Sequence, residues 1–352
     1  MSRAVTFVVP GRLDARTGGS RYNRRMVDAL IRRGWAVDVT EIDDTFPFPD
    51  QSTLQRTSDA FARIRSGTIV VVDGLAFGAI PDIAEREAGR LRLVALVHLP
   101  LAAGLGLDPA QMISVEGSER RALASAVLVV VTGTATLALM DAHRLPSRRL
   151  VVIEPGTDAA PLAAGSRCED VHVLTVGALT TGKGHVMLLH ALAEVPHRRW
   201  QLTCAGSLTR DRDTVARVRA ALSRLGLTDR VSLAGELDEV ELEACFHGAD
   251  LFVLASLRET YGMAVAEALA RGLPVVATRT GAIPALVGED AGLVVPPGDG
   301  PALANALTRM LTDTALRARC GAGARTVRTR LATWDHAAVQ FAAALESVDT
   351  YG

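Results

Sequence analysis

The stretch LFVLASLRETYGMAVAEALARGLPVVATRTGAIPALV, residues 251–287, reads as a strand, a turn, an Ala-rich helix and a second strand. A strand returned to a parallel neighbour through a helix is the crossover unit of an α/β sheet. Two carboxylates, Glu259 and Glu267, interrupt this otherwise apolar segment. Burying an ionised carboxylate is costly unless something pairs with it, so a core-packing element has no use for either. The helix is expected to begin near Tyr261–Gly262, which puts Glu259 in the preceding loop and Glu267 about two turns inside. Eight residues apart, the two side chains do not stack on one helix face. On these grounds alone, a pair of ligand contacts and a pair of solvated charges are equally open.

The same alternation of short β-branched runs and longer helical patterns continues in both directions. Strands are expected at AVTFVV (from residue 4), WAVDVT (35), TIVVVD (68), LRLVALVH (91), AVLVVVT (126) and RLVVIEP (149), then at VHVLTVG (171), WQLTCAG (200), RVSLAG (230), DLFVLAS (250), PVVAT (274) and GLVVP (292). The chain of 352 residues exceeds what one core usually serves, so two domains are expected. The Pro-, Gly- and Ala-rich segment 155–170 has no period and reads as the connection. The division is therefore a Rossmann-like domain over 1–156, a linker at 157–170, a second Rossmann-like domain over 171–331 and a last helix over 332–352, opened by Trp334 and expected to pack back toward the first domain. Two doubly wound sheets facing across a cleft would place ligands at the carboxyl ends of their strands.

Composition excludes several classes. A net charge of −1 supplies no overall field for nucleic acid, and 49 % hydrophobic with 22 % charged residues is ordinary for a globular chain. Cys168, Cys204, Cys245 and Cys320 form no C-x-x-C pair, which fits reduced thiols rather than a zinc site or a disulfide frame. Neither a secretory pattern nor an apolar run of membrane-spanning length is seen, so a cytoplasmic location is expected.

Polar exceptions fall just after strands. In VVPGRLDARTGGSRYNRRM, Gly18 and Gly19 precede a helix with Ser20 as its N-cap; the glycines let backbone approach a ligand, and the helix start offers amides to an anion, although a plain Gly-rich turn reads the same way. In VGALTTGKGHVMLL, Gly177, Gly182 and Gly184 surround Lys183, whose ammonium could meet a phosphate; it is not a Walker A loop, and a solvated lysine remains open. His98 closes LVALVH, where structural and catalytic roles are both open. The helix 21–33 sets Met26, Val27, Leu30 and Ile31 at helical spacing against Arg21, Arg24, Arg25, Arg32 and Arg33; it packs on its sheet with a solvated basic face, or touches a membrane surface or an acidic acceptor.

Together these residues resemble family 4 of the glycosyltransferases, retaining enzymes of the GT-B fold that use nucleotide sugars. The E-x7-E signature is matched by Glu259 to Glu267 in ETYGMAVAEALARGLPVVAT, and the family's E-A-x-A-x-G-x-P-V-V continuation by EALARGLPVVAT. RVSLAGELDEVELEACFHGADLFVLASLRE and GLVVPPGD add to the likeness. The resemblance implies a metal-independent transfer of a sugar, with retention, from a nucleotide-diphosphate sugar to a hydroxyl of a small-molecule or lipid-linked acceptor, with no cofactor and no covalent nucleophile. Glu259 would contact the sugar, Glu267 the ribose and Lys183 the diphosphate. Gly177, Thr260, Tyr261, Gly262 and Met263 would line the donor site, Gly18 and Gly19 would line it from the first domain, and His98 would lie near the reacting sugar. The acceptor would be bound by the first domain. Three positions depart from the pattern: Ala178 stands where an arginine is usual, Thr260 where glycine is, and Ala285 where an acid is. These departures keep open a nucleotide-sugar-binding protein with weakened catalysis, beside an epimerase or hydrolase on the same fold.

Overall fold

The computed structural model describes residues 3–104, 107–140, 146, 149–196 and 199–348. They form two compact units, one of residues 1–156 with 332–352, the other of residues 157–331.

The first unit is a six-stranded sheet in the order β2-β1-β3-β4-β5-β6, with β1 Ala4–Pro10, β2 Ala36–Ile42, β3 Ile69–Asp73, β4 Arg92–Val97, β5 Leu128–Val131 and β6 Leu150–Val152. Every pairing is parallel. The second unit repeats the plan as β12-β11-β10-β7-β8-β9, with β7 Val171–Val176, β8 Trp200–Ala205, β9 Val231–Gly235, β10 Leu251–Leu254, β11 Val275–Thr278 and β12 Gly292–Val295. All twelve expected strands are present, because strands buried on both faces read as continuous apolar runs. Side chains still alternate: Leu251 and Val253 enter the core beneath the helices His185–Ala193 and Gly300–Thr312, whereas Phe252 and Leu254 enter the opposite core with Val265 and Leu269.

Each sheet begins with a central strand, winds outward to one side and then reverses. The reversal lies between β1 and β3 in the first unit and between β7 and β10 in the second. At such a switch point the two following loops leave in opposite directions and open a crevice at the strands' carboxyl ends.

Four expectations need correcting. The first helix runs Gly18–Arg32 and is capped by Thr17, whose hydroxyl accepts from Ser20 N at 3.1 Å; Ser20 is an N3 residue, and Gly18 and Gly19 lie in the first turn. In that helix Met26, Val27 and Leu30 are buried, but Ile31 is 51 % exposed, being one position past the apolar stripe. The segment 157–170 is not a free linker. It is fastened to the second unit by Ala163 N to Arg271 O (2.9 Å), Ala164 N to His247 O (2.9 Å) and Ser166 N to Asp250 Oδ1 (3.1 Å). The helix after Glu259 spans Met263–Ala270, so Glu267 is its fifth residue, little more than one turn inside.

The last helix, Trp334–Val348, belongs to the first unit. Trp334 meets Tyr22 edge-on at 5.7 Å, and Phe341 stacks on Phe7 at 6.0 Å. Gly156 permits the crossing: a Cβ there would lie 2.1 Å from Trp334 N.

Candidate functional site

In the second unit, the loops after β7 and β10 are built against each other. Leu257 N donates to Gly182 O at 2.7 Å, and Gly184, at φ +69°, lies so close to β10 that a Cβ would fall 2.1 Å from Ala255 O. Only glycine satisfies both the left-handed backbone and the approach. The contact brings Lys183, on the short 3₁₀ turn Thr181–Lys183, to Glu259: Nζ donates to Oε1 at 2.5 Å, and Ser256 Oγ donates to the same oxygen at 2.7 Å. Ser256 is fully buried, and its carbonyl accepts from the buried Thr278 hydroxyl. The loop after β11 closes over Glu259 and Thr260. Gly281 sits where a Cβ would be 2.4 Å from both their carbonyls, and Ala282 N donates to Thr260 O at 3.1 Å.

Two helices point their amino ends at this place, His185–Ala193 after Lys183 and Met263–Ala270 after Glu259. Both are N-capped by a left-handed glycine, Gly184 and Gly262, with no side-chain cap. The other helices of eight or more residues described in this unit each carry an aspartate cap: Asp211, Asp238, Asp299 and Asp313. A helix start without a capping oxygen leaves its amides and the positive end of its dipole for an external anion. The 3₁₀ turn is itself held by Asp211, which accepts from Thr181 N at 3.2 Å and from Thr214 Oγ1 at 2.6 Å.

Gly177 lies beside the Lys183 side chain, and Tyr261, Gly262 and Met263 continue the loop from Thr260, with Tyr261 buried. Glu267 is only 7 % exposed. It is therefore not a solvated helix charge. The Arg271 guanidinium pairs with Glu243, lies over the Phe246 ring at 4.4 Å and donates to Glu267 O at 2.9 Å, which fixes the end of this helix. His185, the residue after Gly184, is buried with both ring nitrogens unpartnered among the described residues. Burial, and secondarily the Lys183 charge, push its pKa down to about 4.

The first unit has its own cluster at the β1/β3 switch point. Asn23, on the helix Gly18–Arg32, donates from Nδ2 to Asp73 Oδ2 at 2.6 Å, and Asp73 caps the short helix Gly74–Phe77 through Leu75 N at 2.9 Å. His98, just past β4, sets Nε2 3.3 Å from Asn23 Oδ1 and 3.5 Å from Asp73 Oδ2. Its ring meets Tyr22 edge-on at 5.2 Å and lies on Gly19, where a Cβ would be 3.2 Å from Cδ2. Gly18 has open space around its Cβ position. Burial raises the Asp73 carboxyl, but hydrogen bonds from His98, Asn23 and Leu75 N outweigh it and hold the group below the ordinary carboxylate range.

Thus Gly177, Lys183, Glu259 to Met263 and Glu267 lie on the second unit, and Gly19 and His98 come together on the first. Asn23, Asp73, Asp211 and Gly281 escape sequence reading because each acts through a partner distant in the chain, and Ser256, three residues before Glu259, because a serine closing an apolar strand carries no signal of its own. One signal was available. Of the 38 lysines and arginines only Lys183 is a lysine, so the single position at which arginine does not stand carries the cation of this site.

Fold and site define a two-domain Rossmann-like protein of the GT-B class, with a lysine–carboxylate pair at the switch point of its second sheet. Residues 170–313 match the model of the glycosyl transferases group 1 family. The D-inositol 3-phosphate glycosyltransferase of Corynebacterium efficiens is 33 % identical over 55 % of this chain and 50 % of its own. That of Salinispora arenicola is 30 % identical over 66 % of this chain and 57 % of its own. The chain thus spans about half the length of the curated relatives it matches. Sucrose-phosphate synthase from Thermosynechococcus elongatus superposes with a TM-score of 0.84 at 23 % identity, covering 99 % of this chain and 100 % of that one. Anabaena HepE in complex with UDP and glucose superposes at 0.79 with 19 % identity, over 97 % and 99 %. At these identities the two structures speak for the fold alone.

Proposed function

We propose that the protein is a retaining glycosyltransferase that moves a sugar from a nucleotide-diphosphate donor to a hydroxyl of a small-molecule or lipid-linked acceptor without a metal. The observation that carries this reading is the Lys183–Glu259 pair set between two helix starts that lack side-chain caps. An ammonium and two sets of free amides suit a diphosphate, and a carboxylate beside them suits sugar hydroxyls. Glu259 Oε1 takes both hydrogen bonds described for this carboxylate, which leaves Oε2 to accept from the sugar. Glu267 would take the ribose. As the bond from the anomeric carbon to the diphosphate oxygen breaks, the charge that develops there is met by Lys183 and the amides. The acceptor oxygen forms the new bond on the same face, and its proton passes to the leaving phosphate oxygen. The relatives named as inositol-phosphate glycosyltransferases and the structure solved with UDP and glucose support the class of reaction and of donor.

Ala178 removes one cation that such sites usually have, so the reading makes Lys183 the principal charge on the diphosphate. It places the enzyme in the cytoplasm and the acceptor on the first unit. The basic segment 21–33 is the part suited to an anionic membrane surface, although Arg32 already pairs with Asp335 at 3.6 Å and Arg33 donates to Asp335 O at 3.0 Å. No helix among the described residues is long and apolar enough to cross a membrane.

The test is a panel of UDP-, GDP-, ADP- and dTDP-sugars, with turnover read by release of the nucleotide. Because Lys183 is the only lysine, reductive ¹³C-methylation labels one side chain besides the amino terminus, and its NMR signal should move when the correct nucleotide diphosphate binds. Lys183→Ala should weaken that nucleotide by about 10- to 100-fold, the worth of one charge-assisted hydrogen bond. Glu259→Gln should keep nucleotide binding and lose about 100-fold in turnover. Unchanged turnover in both variants would sink the assignment, an isomerised donor would identify an epimerase, and binding without turnover a binding protein.

A further inference from the structure

Three groups of the first unit, Asn23, Asp73 and His98, meet although they are far apart in the chain, and two of them are buried to 1 % and 7 % exposure. Their geometry determines where the imidazole proton sits. The contact of 2.6 Å between Asn23 and Asp73 requires the amide nitrogen to face the carboxylate, since two oxygens at that distance would repel. Asn23 Oδ1 is then turned toward His98 Nε2. Both oxygens near Nε2, at 3.3 and 3.5 Å, are acceptors, and a bare lone pair on Nε2 would face them at an electrostatic cost. Nε2 therefore carries a hydrogen, and neutral His98 keeps its lone pair on Nδ1, which has no hydrogen-bond partner among the described residues. The ring cannot turn freely, being held by Tyr22 on one side and the Gly19 backbone on another.

We propose that Asp73, acting through and alongside Asn23, is the positioning residue of His98: the two lock the imidazole as the Nε2–H form and present Nδ1 as the nitrogen that meets the sugar or acceptor hydroxyl. This rests on the transferase reading given above. By fixing the Nε2–H form, the pair would hold the Nδ1 lone pair of His98 ready to accept a hydroxyl hydrogen bond at one defined nitrogen.

The proton is located without substrate. Long-range ¹H–¹⁵N correlation spectra of the ligand-free protein, with the His98 signals assigned by His98→Gln, should show Nε2 protonated and Nδ1 bare; the opposite pattern overturns the proposal. Asp73→Asn should turn this into a mixture of tautomers, and with the best donor from the panel lower kcat by about 10- to 100-fold at an unchanged donor KM. Asn23→Ala, which leaves the Asp73 cap on Leu75 intact, should shift the tautomer in the same direction and guards against a folding defect in the first variant. Unaltered tautomer and kcat in both variants overturn the positioning role. Absence of turnover by the wild type with every donor, beside the expected spectrum, would count against the transferase reading and not against the placement of the proton.

Discussion

His185 shows how a single residue beside the site leaves a mark on the whole protein's stability. Its pKa is pushed down to about 4 by burial and by Lys183, against 6.5 for a free imidazole. Between those values the unfolded chain binds a proton that the folded chain does not, so stability rises with pH through the window and is lost as pH falls from 6.5 toward 4. The shift corresponds to about 3 kcal/mol by the bottom of the window. His185→Leu should flatten this part of the profile, measured by urea unfolding of the second unit across the window; an identical slope in the variant would refute the assignment. Lys183 and Glu259 teach a related lesson. Each carries a charge with no obvious purpose when read alone, and each becomes intelligible through the other, 76 residues away in the chain.

At the scale of elements, the site depends on how closely two loops can approach. Gly184 and Gly182 flank Lys183 but face different surroundings. A Cβ on Gly184 would meet Ala255 O at 2.1 Å in a left-handed backbone, whereas Gly182 has nothing within 4 Å. Gly184→Ala should therefore cost at least about 2 kcal/mol from backbone strain and overpacking, and should also weaken the nucleotide by moving Lys183. Gly182→Ala should be neutral or stabilise by up to about 1 kcal/mol. Denaturant unfolding of the two variants compares them directly, and equal costs would show that proximity to β10 is not what requires glycine at 184. The helix caps follow the same logic. Aspartates close the other long helix starts described in the second unit, and glycines leave open the two that face the lysine–carboxylate pair.

At the scale of the molecule, each unit has its own two-sided core, and the chain completes the first unit only with its final helix. Phe341 is fully buried against Phe7 of β1, so the residues of the first unit's core come from both ends of the chain. Phe341→Ala should cost the first unit about 3–5 kcal/mol. Hydrogen exchange should report lost protection across β1 to β6 and the helix Trp334–Val348, with β7 to β12 retained; loss of protection spread evenly over both sheets would contradict independent cores.

The amino-acid sequence by itself determined the strands, the two-domain plan and the residues of the lysine and glutamate loops. Burial on both faces makes parallel strands continuous apolar runs, and polar residues just past such runs stand out against them. Helix caps were less legible: the sequence reads Ser20 as the cap where Thr17 fills that place, since capping depends on a backbone angle that composition does not reveal. Only the tertiary structure decided that Lys183 meets Glu259, that residues 157–170 are fastened to the second unit, and that Asn23 and Asp73 gather at His98. Those relations join distant parts of the chain through distances of a few ångströms, and local propensity and spacing carry no information about them.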